Sequence, residues 1–394
     1  MRKSPLYSIF GLLSLLAVGI YSCKKTEGID NNNVILTPYS LYFADSSGSL
    51  YKTNDGRTYA GVVFPPDGRN SRALTASGGN LLWAKSNLYV SSNDGKNFNL
   101  TYDTLTSFPD FTCSGAGIDM NQSMLVNLPK WDNKVYTTSS ATRPGNWMGL
   151  EYSTNNGAPR TWFFDGAYDT MGVGVMPVRM KSLTMLANGT LCGLAYSGPA
   201  ENDLLHSRNF VKAGNDETVY ENRWREITAN PDSRPYIYLG NLSGRPLPPY
   251  GATYIDTSYF YLGHLNNRLI AIDAKCNYGA WYSDDYGANW QPYSGLPLGT
   301  PLLCIESPFE EVCLVGTAGK GLYILNVHTG QWEANNKGLG SNLTVRSIAA
   351  KQNIYKNGTV RKFIYLATNQ GIYESADGGR NWTRTIVGNF VCVN

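Results

Sequence analysis

Apolar positions along this chain come in short runs, each cut off by polar turn residues. NLYV (87–90), MGLEY (148–152), GAWY (279–282), GLYIL (321–325) and GIYE (371–374) are each followed by a stretch holding Ser, Thr, Asp, Asn or Gly. Runs this short, rich in Tyr, Val, Ile and Leu and bounded by such turns, predict strands. No long stretch carries the 3.6-residue period, so very little helix is expected. The order is clearest near the C-terminus, where VRSIAA (345–350), FIYLAT (363–368), GIYES (371–375) and NWTRTI (381–386) predict four consecutive strands. Similar sets end near Trp332, Trp290, Trp224, Trp162 and Phe98. The first set, SLYFADS, SLYKT and TYAGVV, lacks an opening strand, and the tail NFVCVN (389–394) is placed to supply it.

One motif recurs between the third and fourth strands of these sets. SDDYGANW (283–290) and SADGGRNW (375–382) match S-x-D-x-G-x-x-W in full. SSNDGKNF (91–98) replaces Asp by Asn and Trp by Phe, KTNDGRTY (52–59) is weaker, and STNNG (153–157) reaches its aromatic, Trp162, after two extra residues. Thr329-Gly330-Gln331-Trp332 is a worn copy, and Ser207-Arg208-Asn209 with Trp224 a broken one. Asp or Asn caps a tight turn by accepting backbone N–H bonds, and Gly supplies positive φ. The aromatic then opens the next strand and packs back under the turn. Hairpins repeating every ~40–75 residues in this way fit propeller blades with loops of variable length.

These segments resemble the Asp-box (BNR) repeat family, over most of residues 35–394. The resemblance implies an all-β fold: a single β-propeller of seven four-stranded blades, closed by N- and C-terminal strands in one blade, with six or eight blades left open by the broken fourth set. It also implies that the boxes lie on the periphery, away from the ligand-binding centre. Asn54, Asn93, Asn155, Asp285, Asp377, Gly287, Gly379, Trp290 and Trp382 are therefore expected to be structural.

The N-terminus reads differently. Arg2 and Lys3 precede an apolar run over residues 6–20, too short to span a bilayer comfortably but suited to a signal-peptide core. Ser22-Cys23 follows, then Lys24-Lys25, which resembles the lipobox of bacterial lipoproteins. The expected organisation is a signal peptide (1–22), a lipidated Cys23 with a polar tether (23–34), and the propeller (35–394). That places the chain in the bacterial cell envelope, at the outer membrane, with the face of the membrane open.

Composition narrows the function. Charged residues make up 16% and hydrophobic ones 42%, which excludes a disordered, highly charged chain. The net charge of +3 drops by two once Arg2 and Lys3 leave with the signal peptide. No basic excess remains to drive nucleic-acid binding. The three histidines are far apart in sequence and the cysteines match no zinc or redox spacing, so no metal site or cofactor is expected. Cys304 and Cys313 flank the turn SPFEEV, where a disulfide or two buried thiols are both compatible with the spacing.

Ligand chemistry is expected on the loops that vary between blades. The long non-repeat stretches are 105–120, 131–150, 164–180 and 226–260. Trp131, Trp147, Tyr168, Arg234, Tyr236 and Tyr250 are the candidates for a glycan- or peptide-binding face, since aromatic planes cover apolar sugar faces while charged groups fix polar edges. Asp165, Asp169, Asp232 and Asp256 are the carboxylates available if the chain hydrolyses glycosides. The catalytic patterns of related families are missing. Asp-box sialidases carry an Arg-Ile-Pro motif, absent here, and Asp-box xyloglucanases use a cleft between two propellers, for which 394 residues leave no room. The expected function is a lipid-anchored, non-catalytic binding or assembly module for a glycan or envelope protein, similar in style to the photosystem II assembly factor and sortilin propellers. The alternative is an exo-acting, sialidase-like glycoside hydrolase or lyase.

Overall fold

The computed structural model describes residues 260–394 except 288, 289 and 310. Between residues 35 and 226 it describes the strands named below and some adjoining turns, among them 40–54, 58–61, 88–101 and 180–196. All regular structure among these residues is β, with no helix. The chain divides into two compact units, one of residues 40–351 and 363–394 and one of residues 1–39 and 352–362.

Strand β1 (Ile35–Thr37) belongs to the smaller unit. The larger one is a succession of meanders. The first joins β2 (Leu41–Asp45), β3 (Leu50–Thr53) and β4 (Ala60–Gly61). Next come β5 (Ala73–Ser77), β6 (Asn80–Ala84), β7 (Leu88–Ser91) and β8 (Asn99–Leu100). The third sheet holds β9 (Phe111–Thr112), β10 (Ser123–Leu128), β11 (Lys134–Ser139), β12 (Gly149–Ser153) and β13 (Trp162–Asp165). A two-stranded ribbon, β14 (Tyr168–Asp169) and β15 (Met176–Pro177), precedes the fourth, made of β16 (Met180–Met185), β17 (Leu191–Tyr196), β18 (Ser207–Lys212) and β19 (Arg225–Glu226). The fifth is β20 (Phe260–Leu265), β21 (Arg268–Asp273), β22 (Ala280–Ser283) and β23 (Gln291–Tyr293). The sixth is β24 (Leu302–Phe309), β25 (Val312–Thr317), β26 (Leu322–Asn326) and β27 (Gln331–Ala334). The seventh holds β28 (Val345–Tyr355), β29 (Val360–Thr368), β30 (Gly371–Ser375) and β31 (Thr383–Val387). The last strand, β32 (Phe390–Val393), returns to the first sheet and pairs antiparallel with β2, with Phe43 opposite Val393 and Ala44 opposite Cys392.

Neighbouring sheets meet through their first strands: β32 lies against β5, β5 against β10, β10 against β16, β16 against β20 and β20 against β24. Apolar clusters fill the spaces between them. Trp83, Leu50, Tyr42 and Cys392 join the first and second sheets. Leu194, Phe260, Leu269 and Trp281 join the fourth and fifth, and Ile270, Ile305, Val315 and Trp332 the fifth and sixth. Leu314, Val345, Ile364 and Trp382 join the sixth and seventh. Side chains alternate between the two faces of a strand, so each sheet contributes to two such clusters. This alternation separates Cys304 from Cys313: Cys304 packs toward the seventh sheet and Cys313 toward the fifth. Both are free thiols, so the hairpin carries no disulfide between them, whereas Cys392 is disulfide-bonded.

A loop-to-strand contact repeats along the later sheets. Trp332 N–H donates to Ser294 O (2.8 Å) and Trp382 N–H to Lys337 O (3.0 Å). The residues after those carbonyls are Gly295 and Gly338, at φ +99° and +88°. A Cβ on either would lie 2.1 or 2.0 Å from the carbonyl oxygen of Trp332 or Trp382. Only glycine allows so close an approach in that conformation.

Candidate functional site

Three boxes show the same hydrogen bonds. Ser375 Oγ donates to Asp377 Oδ1 (2.7 Å) and accepts from Gly379 N–H (2.9 Å), and Asp377 Oδ1 also accepts from the N–H groups of Arg380 and Asn381 (both 3.0 Å). Ser283 Oγ donates to Asp285 and accepts from Gly287 N–H, both at 2.7 Å. Ser91 Oγ donates to Asn93 (2.9 Å) and accepts from Gly95 N–H (2.8 Å), while Asn97 N–H donates to Asn93 Oδ1 (3.0 Å). The glycines take φ of 88°, 97° and 80°. Burial pushes the Asp377 carboxyl up, but donors from Asn381, Ser375 and Arg380 outweigh it and bring it down to about 2. The acceptor side chain of each of these boxes is engaged by its own turn. Trp382 is buried beneath its turn, and Trp290 packs against the cluster that includes Trp281. In the weaker copies, Asn54 and Asn155 lie exposed at their turns.

Most of the expected ligand residues lie elsewhere. Trp131, Trp147, Arg234, Tyr236, Tyr250, Asp232, Asp256 and Cys23 are outside the described residues. Asp165 ends β13 and Tyr168 and Asp169 form β14, with Tyr168 opposite Pro177 and Asp169 opposite Met176; only their backbones are described.

The first strands carry a second set of polar groups. Leu262 N–H of β20 donates to Ser182 Oγ of β16 (2.8 Å), and two residues further along the same strands Thr184 Oγ1 and His264 Nδ1 form a hydrogen bond of 2.9 Å. On the other side, Ser307 Oγ of β24 donates to His264 O. The strands come this close because Gly263 faces Ile305, whose Cδ1 would lie 2.6 Å from a Cβ there. Cys304 Sγ then reaches Val345 O of β28 (3.8 Å), and Ser347 of β28 donates to Val393 O (3.2 Å) and accepts from Val393 N–H (3.3 Å) of β32. Serine and threonine on three of these strands, β16, β24 and β28, thus link them to a neighbouring strand.

Two charged residues lie on these first strands, Glu306 on β24 and Lys351 on β28. Burial pushes the Glu306 carboxyl up to about 7, only partly opposed by the Ser307 N–H. Burial pushes the Lys351 ammonium down to about 8. Both side chains keep part of their accessible surface. Glu306 near 7 exchanges its proton around neutrality and can accept a hydrogen bond from a ligand or donate one. Sequence reasoning missed Thr184, His264, Glu306 and Lys351. Their signal was a polar residue set inside an apolar strand, as in FYLGHL and LLCIESPF.

No family profile matches the chain, and no curated protein matches its sequence. Solved structures do. YCF48 from Cyanidioschyzon merolae is similar at 14% identity and a TM-score of 0.46, over 82% of this chain and 88% of that one. YCF48 bound to D1 peptide is similar at 11% identity and a TM-score of 0.44, over 85% and 89%. The GH74 enzyme of Niastella koreensis is similar at 12% identity and a TM-score of 0.36, over 89% of this chain and 64% of that one. At these values no activity or partner follows from the likeness.

Proposed function

We propose that the chain is a lipid-anchored Asp-box β-propeller of the bacterial outer membrane that captures a glycan or an envelope protein without transforming it. The larger unit forms seven blades, one per meander, and β32 closes them by completing the sheet of β2. The row of contacts between first strands and the Ser347–Val393 link support that closure. Closing the sheets on one another removes open edges. The lipid sits on Cys23 and the tether runs to residue 34.

One observation carries the binding role. The box acceptors are engaged by their own turns, whereas Thr184 and His264 meet between two neighbouring first strands, and Glu306 on the next keeps part of its accessible surface. In a propeller those strands line the centre, so this row is the floor of the ligand site and the variable loops are its walls. A glycoside hydrolase would need a second carboxylate roughly 5–10 Å from Glu306. Among the described residues, the influences acting on Glu306 are burial and the Ser307 N–H.

The test is capture on a glycan array and from envelope extracts with the mature chain, followed by titration of each hit. Affinity should fall at least about tenfold in Glu306→Gln and His264→Ala, the loss expected from removing a hydrogen bond to a partly buried charged group. It should stay within about twofold in Asp377→Asn. A hit indifferent to both first-strand variants would remove the site from this row.

A further inference from the structure

The smaller unit brings the start of the described chain onto a hairpin. β28 and β29, at 11 and 9 residues, are the longest strands described, and the hairpin tip is residues 352–362. Tyr355 N–H donates to Thr359 O and Gly358 N–H to Tyr355 O, both at 2.9 Å. Asn357 Oδ1 accepts Thr359 N–H at 2.9 Å, and Gly358 takes φ +84°. An Asn-Gly pair at such a position makes a tight, defined turn. β1 pairs antiparallel along this tip, with Ile35 opposite Tyr355 and Thr37 opposite Ile354.

The charge on the tip has one sign. Residues 352–362 contain Lys356, Arg361 and Lys362 and no acidic residue, in a chain whose net charge is only +3. Residues 356–362 are all exposed, and the Arg361 guanidinium lies over the Tyr355 ring at 5.0 Å. Val360 and Ile35, 45% and 43% accessible, add apolar surface beside the basic groups. Cys23 precedes Ile35 by only twelve residues, so a lipid there tethers the tip within about 40 Å of the membrane, from ~3.3–3.6 Å per extended residue.

We propose that this basic hairpin docks on the anionic headgroups of the membrane that holds the lipid. The inference rests on the lipid-anchor reading for its setting, but its chemistry is independent of the lipid. A basic patch close to a lipid anchor adds an electrostatic contribution on an anionic surface. Each basic residue at an anionic surface strengthens binding roughly fivefold, so Lys356 and Arg361 alone give about thirtyfold.

The experiment uses the mature chain carrying Cys23→Ser, so that no acyl chain contributes. Sedimentation is measured with vesicles of phosphatidylcholine alone and with about one third phosphatidylglycerol. Binding to the anionic vesicles only, abolished at about 0.5 M salt where the Debye length is a few ångströms, is the expected result. Replacing Lys356, Arg361 and Lys362 together by Gln should weaken it at least about thirtyfold, and Lys356→Arg with Lys362→Arg should retain it. Equal binding to both vesicle types, binding unaltered in the triple variant, or no binding to anionic vesicles overturns the proposal. Fractionation of Cys23→Ala in cells tests the lipid separately. If that variant stays with membranes after a wash at about 0.5 M salt, which releases a chain held by the hairpin alone, the lipid reading fails while the vesicle result stands.

Discussion

At the scale of single residues, the same local chemistry serves opposite ends. Asp377 is held by four donors from its own turn, counting Ser375 and the Asn381 side chain, and its carboxyl lies below the ordinary range. It therefore stabilises the fold above the ordinary carboxylate pKa and loses that contribution as pH falls from near 4 toward 2. Asp377→Ala should cost ~1–2 kcal/mol in a denaturant titration at neutral pH, whereas Asp377→Asn should cost under ~0.5 kcal/mol. Asn93 already fills the equivalent role in its own box. Glu306 has the opposite sign. Its carboxyl is raised from 4.5 to about 7, so the fold binds a proton that the unfolded chain releases, and stability declines as pH rises across that interval. Glu306→Gln should flatten the decline and add ~1–2 kcal/mol at pH 8, with the partial exposure of the side chain taken into account. A variant with an undiminished slope would place the titration on another group.

At the scale of elements, short apolar runs and turn residues made the strands legible, because period and turn chemistry are local. The four strands expected near the C-terminus appear as β28 to β31, and NFVCVN contains β32. The polar row of first strands was not legible. Its hydrogen bonds join residues far apart in sequence, 80 for Thr184 with His264 and 43 for Ser307 with His264. A histidine inside FYLGHL acquires meaning only when a threonine from another sheet stands opposite it. The extension of β28 to Tyr355 was also missed, since VRSIAA ends at residue 350 and the added pairing comes from β1. The loop glycines carry a prediction at this scale. Gly338→Ala sets a Cβ against Trp382 O in a left-handed conformation and should lower stability by ~2–4 kcal/mol. Gly358→Ala, with positive φ but open space around it, should cost only ~1 kcal/mol.

At the scale of the whole molecule, the proposed binding role separates the scaffold chemistry of the turns from the ligand chemistry of the first strands. The acceptors of three third-to-fourth-strand boxes are engaged by their own turns, while Glu306 and Lys351 on the first strands keep part of their accessible surface. Such a division would let turns stay alike from sheet to sheet while loops diverge. The measurement that tests the binding role most directly is a glycan-array screen of the mature chain with product analysis of every hit. Capture with the glycan recovered intact, weakened in Glu306→Gln, is the predicted result. Release of a cleaved sugar by the wild-type chain, lost in Glu306→Gln, would contradict it and make this protein a glycoside hydrolase.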